Sequence, residues 1–141
     1  MRLIQQTFCF LDGIGTRKEK QVWKQGINEW NDFLRAEQIG GISPERKSYY
    51  DRQLKKAQEA LANDDAAYFC VFGKEQWRLY TWFKDETGFL DIEVDGKGRV
   101  IVVGTSNYYN TTTFVRGINL EKEAIEKELQ KYKIIVTFNG S

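Results

Sequence analysis

The sequence predicts a protein of the α+β or α/β class, with an N-terminal helical region followed by a small mixed β-sheet. Apolar residues recur at helical spacing up to about residue 84, whereas the later residues alternate short apolar runs with turn residues. The elements of this second part follow the order β-β-β-α-β. We therefore expect a helical region over residues 1–84 and a sheet-forming region over residues 85–141.

Turn and capping residues set the first two helices. Gly13 and Gly15 predict a tight turn, after which Thr16 caps a helix that continues to about Gln25. Asn28 then caps a second, short helix. Apolar residues at helical spacing are expected to join the two helices: Trp23, Ile27, Trp30 and Leu34.

A longer helix follows, because Ser43 at the cap and Pro44 at the first helical position are a strong start signal. It should continue to about Ala62, with a buried stripe made of Tyr50, Leu54, Ala57 and Leu61. The stretch over residues 65–84 is also predicted to be helical. Its dense aromatic residues are expected in the core: Phe69, Phe72, Trp77, Tyr80 and Trp82.

In the second part, the expected strands cover residues 89–94, 99–103, 111–115 and 133–138. A hairpin turn at Asp95-Gly96-Lys97-Gly98 joins the first two. Asn119 is expected to cap a helix that continues to about Tyr132 and connects the third strand to the fourth. Its inward residues should be Leu120, Ala124, Ile125 and Leu129. Because a helical crossover joins parallel strands, the last strand should lie parallel to an earlier one.

Composition excludes several kinds of chemistry. The chain has no His, so Ser-His-Asp and Cys-His catalysis and imidazole-bound zinc are excluded. The net charge is +1, which is not that of a polycation or an acidic tail. Cys9 and Cys70 are expected to be buried free thiols, and a disulfide between them is the alternative. The start lacks the apolar core of a secretion signal, and no apolar run could span a bilayer. We expect a cytoplasmic protein with no membrane partner.

Two acids are the strongest candidates for chemistry. Asp91 and Glu93 alternate along a predicted strand and project to one face, roughly 7 Å apart. If this strand is central in the sheet, both carboxylates are buried and repel each other, and a divalent cation would remove that penalty. Mg²⁺ or Mn²⁺ suits such oxygen ligands, and a pair of ions can cleave a phosphodiester. The alternative is a half-exposed strand with solvated acids.

Backbone binding is predicted at Gly13-Ile14-Gly15, because amide groups ahead of a helix can hold a phosphate. Arg17 and Lys18 follow in a locally basic helix, which suits a sugar-phosphate backbone. The alternative is an ordinary turn. A second basic helix face, which is either solvated or an extension of this track, contains Arg46, Lys47, Arg52, Lys55 and Lys56. Tyr108-Tyr109-Asn110 is expected to be a turn, with no role assigned.

Three segments resemble a known family. Phe89-Leu90-Asp91-Ile92-Glu93 resembles the first motif of DEDD-type 3′–5′ exonucleases, which have the ribonuclease H-like fold, and residues 134–141 resemble the strand leading into their second motif. The best resemblance is to the YprB-type ribonuclease H-like domain. Phe10-Leu11-Asp12-Gly13-Ile14-Gly15 is similar to the helix-hairpin-helix-like segment that precedes this domain. Val94 departs from the pattern, since relatives often have Thr there.

The resemblance implies that Asp91 and Glu93 bind Mg²⁺ or Mn²⁺ as catalytic acids, and that Gly13, Gly15, Arg17 and Lys18 hold DNA or RNA. It also implies further acids after the Asn-Gly strand, and the chain ends at Ser141 before any of them. We therefore expect the N-terminal portion of a metal-dependent 3′–5′ exonuclease-like protein, C-terminally truncated, with an incomplete ribonuclease H-like sheet and little catalysis. The alternatives are a non-catalytic nucleic-acid-binding module and an assembly protein that forms a homo-oligomer through the open sheet.

Overall fold

The computed structural model describes residues 3–138. They form two compact units, one up to Trp82 and one from Phe83 onward. The helices are α1 (Thr16–Lys24), α2 (Trp30–Arg35), α3 (Pro44–Ala62) and α4 (Lys122–Leu129), and 3-10 helices cover Ile4–Gln6, Ala66–Thr81 and Lys84–Glu86. The strands are β1 (Thr87–Val94), β2 (Val100–Ser106), β3 (Thr111–Val115) and β4 (Ile134–Thr137). Helices together with a mixed sheet confirm the α+β class.

The long helix α3 organises the N-terminal unit. It begins as expected, with the Ser43 hydroxyl accepting a hydrogen bond from the backbone N–H of Arg46 and with Pro44 in the first turn. Its predicted buried stripe is confirmed: Tyr50, Leu54, Ala57 and Leu61. Trp30 and Phe33 of α2 are buried in the same unit.

The aromatic stretch that follows α3 was predicted to be helical with all its rings in the core, and this is only partly right. Residues Ala66–Thr81 form 3-10 helix that is interrupted at Gly73, where φ is 52°. Ahead of this kink Phe69 and Phe72 are buried, because residues three apart share one face of a 3-10 helix. Beyond it Trp77 is 52% exposed and Trp82 is 46% exposed.

Three predicted helix caps are wrong. Gly15 is the cap of α1 and Thr16 is its first helical residue. For α2 the cap is Glu29, with the Asp32 side chain reaching back, rather than Asn28. The cap of α4 is Glu121 rather than Asn119.

The Asn119 side chain is used by the turn that precedes α4. Its Oδ1 accepts the backbone N–H of Val115 at 2.7 Å, and its amide donates to the carbonyl of Thr113 at 3.1 Å. The helix therefore begins later than the sequence predicts. The predicted inward residues of α4 are half-buried, and Glu128 is the buried residue of the helix.

The sheet of the C-terminal unit has the strand order β3-β2-β1-β4. The pairs β1–β2 and β2–β3 are antiparallel, and β4 lies parallel to β1. The predicted parallel crossover through a helix is thus confirmed. Within the described residues β4 pairs only with Thr87–Leu90, so the later half of β1 is paired with β2 alone. The Asn139-Gly140-Ser141 part of the predicted final motif lies outside the described residues.

Both cysteines are free, and Cys70 is exposed rather than buried as expected. Cys9 is half-buried. Its burial, together with the neighbouring Glu19 carboxylate, raises the pKa of the Cys9 thiol to about 11, so the thiol stays protonated near neutral pH. Within residues 3–138, none of the helices has both the length and the apolar character needed to cross a bilayer.

Candidate functional site

The two candidate acids project from one face of β1, the face that α4 does not cover. Thr105 lies opposite Leu90 in the sheet, and its hydroxyl donates a hydrogen bond to Glu128 of α4 at 3.3 Å. Helix α4 therefore lies on the Leu90 side of the sheet. Since neighbouring residues of a strand point to opposite faces, Asp91 and Glu93 lie on the other side.

Both carboxylates are exposed, which corrects the expectation that they are buried within the sheet. Helix α4 lies on the other face of β1, and both acids lie beyond Leu90, where the described pairing of β1 with β4 ends. An exposed pair is screened by water, so its repulsion does not require a cation. Any ion at this pair would have to bind by its own affinity for the oxygens.

The donor set fits one hard divalent cation and is too small for two. Mg²⁺ keeps several waters and is usually held by one or two carboxylates together with substrate phosphates. Asp91 and Glu93 can supply such a pair of ligands. Among residues 3–138, no three His, Cys, Asp or Glu side chains come close enough together to hold a metal ion. The predicted centre with two metal ions is therefore not formed by the described residues.

The glycine turn of the N-terminal unit is built as its residue types suggest. Gly13 has a φ of +79°, a conformation that side chains other than glycine rarely adopt. The turn is held from α3, because the Tyr50 hydroxyl donates to the carbonyl of Asp12 at 2.6 Å and Arg46 Nη1 donates to the same oxygen at 3.1 Å. A Cβ atom at Gly13 would lie 3.0 Å from Arg46 Nη1. Glycine at this position thus leaves room for the guanidinium.

Arg46 therefore belongs to the glycine turn, which the sequence did not indicate because the two segments lie far apart along the chain. Gly13, Gly15 and Arg17 are exposed, and Lys18 is half-buried. We call this group the turn surface, and its members are Gly13, Gly15, Arg17, Lys18 and Arg46. It combines exposed backbone at the start of α1 with cationic side chains from α1 and α3, a chemistry that suits phosphate groups.

The basic face predicted on α3 is smaller than expected. Lys47 is buried, and its ammonium lies 2.8 Å from both carboxylate oxygens of Asp51 and 5.3 Å from the centre of the Phe33 ring. Its charge is thus used inside the unit. The other four residues of that predicted face are exposed: Arg46, Arg52, Lys55 and Lys56.

Another charged residue, Glu19 of α1, is buried as well, although its neighbours in the sequence are basic. It is 1% exposed and accepts hydrogen bonds from the Thr7 hydroxyl at 2.8 Å and the Phe8 backbone N–H at 2.7 Å. Arg78 Nη1 lies 3.5 Å from its carboxylate. Glu19 therefore fixes the segment ahead of the glycine turn rather than facing a ligand.

Comparison of the chain with models of protein families, with curated proteins and with solved structures finds no match. The resemblance to YprB-type exonuclease domains thus stays a prediction. The geometry of the acid pair and of the turn surface is the basis on which a function can be proposed.

Proposed function

We propose that this chain binds nucleic acid and carries part of the metal site of a 3′–5′ exonuclease-like nuclease, with little or no catalysis by its own residues alone. The observation that carries the proposal is the position of Asp91 and Glu93 on one open face of β1, next to β4, which returns parallel through a helix. A β-β-β-α-β order with two acids on its first strand is what the resemblance to the ribonuclease H-like exonucleases implies.

Asp91 and Glu93 would hold Mg²⁺ or Mn²⁺ through their carboxylate oxygens. When bound, such an ion polarises a phosphoryl oxygen and lowers the pKa of a bound water. Asp91 already uses Oδ1 to accept the backbone N–H of Ile92 at 3.1 Å, which restricts the orientation of its carboxylate. The open face leaves both acids accessible to a substrate phosphate, which can complete the coordination of the ion.

The turn surface supports a nucleic-acid partner independently of the acids. Its exposed amides and its cations would contact the sugar-phosphate backbone without reading bases. Because the described residues form no centre for two metal ions, a second candidate function is a binding module without catalysis. Assembly through the open sheet stays a prediction.

One binding experiment separates the two candidates. A labelled single strand of about twelve nucleotides, within the usual site size of single-strand binders, is titrated with the chain in Mn²⁺ and in EDTA, and fluorescence anisotropy gives the affinity. We expect Mn²⁺ to tighten binding, and Asp91→Asn with Glu93→Gln to remove that gain of about tenfold, which corresponds to about 1.4 kcal/mol. Glu123→Gln, an exposed acid on α4, is the matched control and should change nothing.

The same titration tests the turn surface. Replacing Arg17 and Lys18 by Glu should weaken binding with and without Mn²⁺, and should reduce the slope of log affinity against log salt by about 1.4, because each phosphate contact on a single strand contributes about 0.7. A Mn²⁺ effect that survives loss of both acids would contradict the nuclease proposal. Affinity that depends on Arg17 and Lys18 but never on Mn²⁺ would favour the binding module.

A further inference from the structure

Strand β3 lies at one edge of the sheet, where native proteins usually protect their backbone groups. Within the described part of the chain, its only neighbouring strand is β2. Its sequence, Thr-Thr-Thr-Phe-Val, contains neither a charge nor a proline and is rich in residues that favour strands. Free N–H and C=O groups along such an edge can pair with a strand of another molecule. We therefore expect β3 to associate with other strands unless its edge is covered.

One side chain, that of Asn119, covers the outward edge of β3. Successive residues of an antiparallel strand direct their backbone groups alternately towards the partner strand and away from it. The Val115 N–H donates to Asn119 Oδ1 at 2.7 Å, and Asn119 Nδ2 donates to the Thr113 carbonyl at 3.1 Å. The Asn119 N–H also donates to the Val115 carbonyl at 3.0 Å. Thr113 and Val115 thus direct these groups away from β2, and Asn119 binds them.

The side-chain amide of Asn119 imitates one residue of a parallel neighbouring strand. In a parallel pair, the N–H and C=O groups of one residue bind two residues that lie two positions apart on the other strand. Asn119 does the same with its Nδ2 donor and its Oδ1 acceptor, since Thr113 and Val115 are two positions apart. An incoming strand requires these same two backbone groups. It can pair here only after both hydrogen bonds of the amide are broken.

The turn that follows β3 holds Asn119 in position. The Arg116 N–H donates to the Ile101 carbonyl of β2 at 2.9 Å, so the chain stays attached to the sheet directly after β3. The Leu120 N–H donates to the Val115 carbonyl at 3.1 Å and returns the chain to the edge. Because these bonds order the backbone, only the side-chain torsions of Asn119 lose freedom when its amide binds β3. The edge is thus covered without a large loss of conformational entropy.

We propose that Asn119 blocks the β3 edge and prevents it from pairing with β3 of a second copy of this chain. Two uncovered β3 edges could pair antiparallel about a two-fold axis, because this Thr-rich strand has no charges that would repel each other. The cap of α4 is Glu121, so the Asn119 amide is not required to start that helix. The inference is independent of the proposed nuclease function, since it involves neither the acid pair nor the turn surface.

The test compares the self-association of the intact chain with that of Asn119→Ala. Because Asn119 is exposed, this substitution leaves the core intact. Sedimentation velocity from about 10 to about 200 μM covers the range in which unpaired strand edges associate. We expect the mass of Asn119→Ala to rise with concentration from that of one chain to that of two, a rise that the intact chain does not show. Asn110→Ala, which replaces an exposed asparagine just before β3, is the matched control and should sediment as the intact chain does. Equal association of the intact chain and Asn119→Ala would overturn the proposal.

A second substitution shows whether the association of Asn119→Ala uses the β3 edge. Thr113→Pro removes an outward N–H and places a ring where the incoming strand would lie, while the pairing with β2 loses no hydrogen bond. We expect the double variant Asn119→Ala, Thr113→Pro to sediment as one chain, with its sheet retained in circular dichroism. Thr113→Lys, which places a charge on the edge, should have the same effect. Association that persists in both double variants would contradict pairing through β3.

Hydrogen exchange of the Val115 amide gives an independent measurement of the same edge. In dilute Asn119→Ala this amide should exchange about 2- to 10-fold faster than in the intact chain, which is the effect of one lost hydrogen bond. Its protection should return as the concentration rises, because the second copy then accepts the Val115 N–H. Faster exchange at every concentration, without any association, would show that Asn119 only orders the turn, and the proposal would be wrong.

Discussion

The buried charges of the N-terminal unit and the acid pair of the C-terminal unit lie at opposite depths. In the N-terminal unit, Glu19, Lys47 and Arg78 are buried, and each lies against an opposite charge. In the C-terminal unit, Asp91 and Glu93 are exposed on an open face of the sheet. From the sequence we expected a buried acid pair on the strand, with a half-exposed strand as the alternative.

The difference shows which roles are open to a buried charge and which to an exposed one. A buried ion costs free energy unless a partner compensates it, so the charges of the N-terminal unit are committed to internal contacts. An exposed carboxylate carries no such cost and stays available to a ligand. We therefore expect substitutions of the buried charges to act on stability, and substitutions of the acid pair to act on binding.

The largest expected effect is that of Arg78→Met, which breaks the buried charge group of the N-terminal unit. Arg78 lies 2.6 Å from Glu75 and 3.5 Å from Glu19, in ion pairs whose angles are not those of hydrogen bonds. Without the guanidinium, two carboxylates stay in or near the interior unpaired, and the unit should lose about 3–5 kcal/mol of unfolding free energy. Urea unfolding followed by tryptophan emission measures this, because all four Trp residues lie in this unit.

Arg52→Met is the matched control, since this arginine of α3 is exposed, and its effect should stay within about 0.5 kcal/mol. Adding Glu19→Gln and Glu75→Gln to Arg78→Met should restore part of the loss, because the remaining charges are then neutral. An Arg78→Met chain as stable as its parent would show that burial does not commit this charge to the fold.

A smaller loss of stability is expected from Gly88→Ala in the C-terminal unit, because this substitution disturbs close packing rather than a charge. A Cβ atom at Gly88 of β1 would lie 2.5 Å from the ring of Tyr132, nearer than atoms of this kind approach. Overpacking of this type costs about 1–3 kcal/mol. Amide hydrogen exchange of β1 measures the effect. Gly96→Ala, which meets nothing within 4 Å, should leave exchange unchanged, and equal effects of the two variants would contradict the prediction.

The parts of the fold that the sequence predicted correctly are those with local causes. Ser43 and Pro44 start α3 through contacts within one turn of helix, and Asp95 fixes its hairpin by accepting the N–H groups of Lys97 and Arg99. Turn chemistry of this kind can be read from neighbouring residues. The parallel pairing of β4 with β1 followed from the rule for helical crossovers rather than from any contact.

The sequence does not predict how deeply individual side chains are buried. Alternation placed Asp91 and Glu93 on one face, but their exposure depends on which face α4 packs against, and α4 lies on the opposite one. Glu19 and Lys47 are buried because they pair with Arg78 and Asp51, and the sequence alone does not show these pairs. Arg46 likewise joins the glycine turn only through tertiary packing. The candidate site was thus predicted by residue type, and its assembly was not.

The smallest expected effect concerns Glu128, the buried acid of the C-terminal unit, whose contribution to stability depends on pH. The hydrogen bond from Lys131, with help from Tyr132 and Thr105, holds the pKa of the Glu128 carboxyl below its ordinary value of 4.5. The folded state therefore favours the charged form, so this contribution to stability is complete above pH 4.5 and is lost as the pH falls below it. Lys131 is largely exposed, which limits the contribution to less than about 1 kcal/mol.

Far-UV circular dichroism melts between about pH 6 and pH 3 test this contribution of Glu128. They should show a shallower loss of stability for Glu128→Gln than for its parent, while Glu123→Gln on the same helix follows the parent. Parallel curves for Glu128→Gln and its parent would mean that this buried acid, unlike those of the N-terminal unit, gains nothing from its charge.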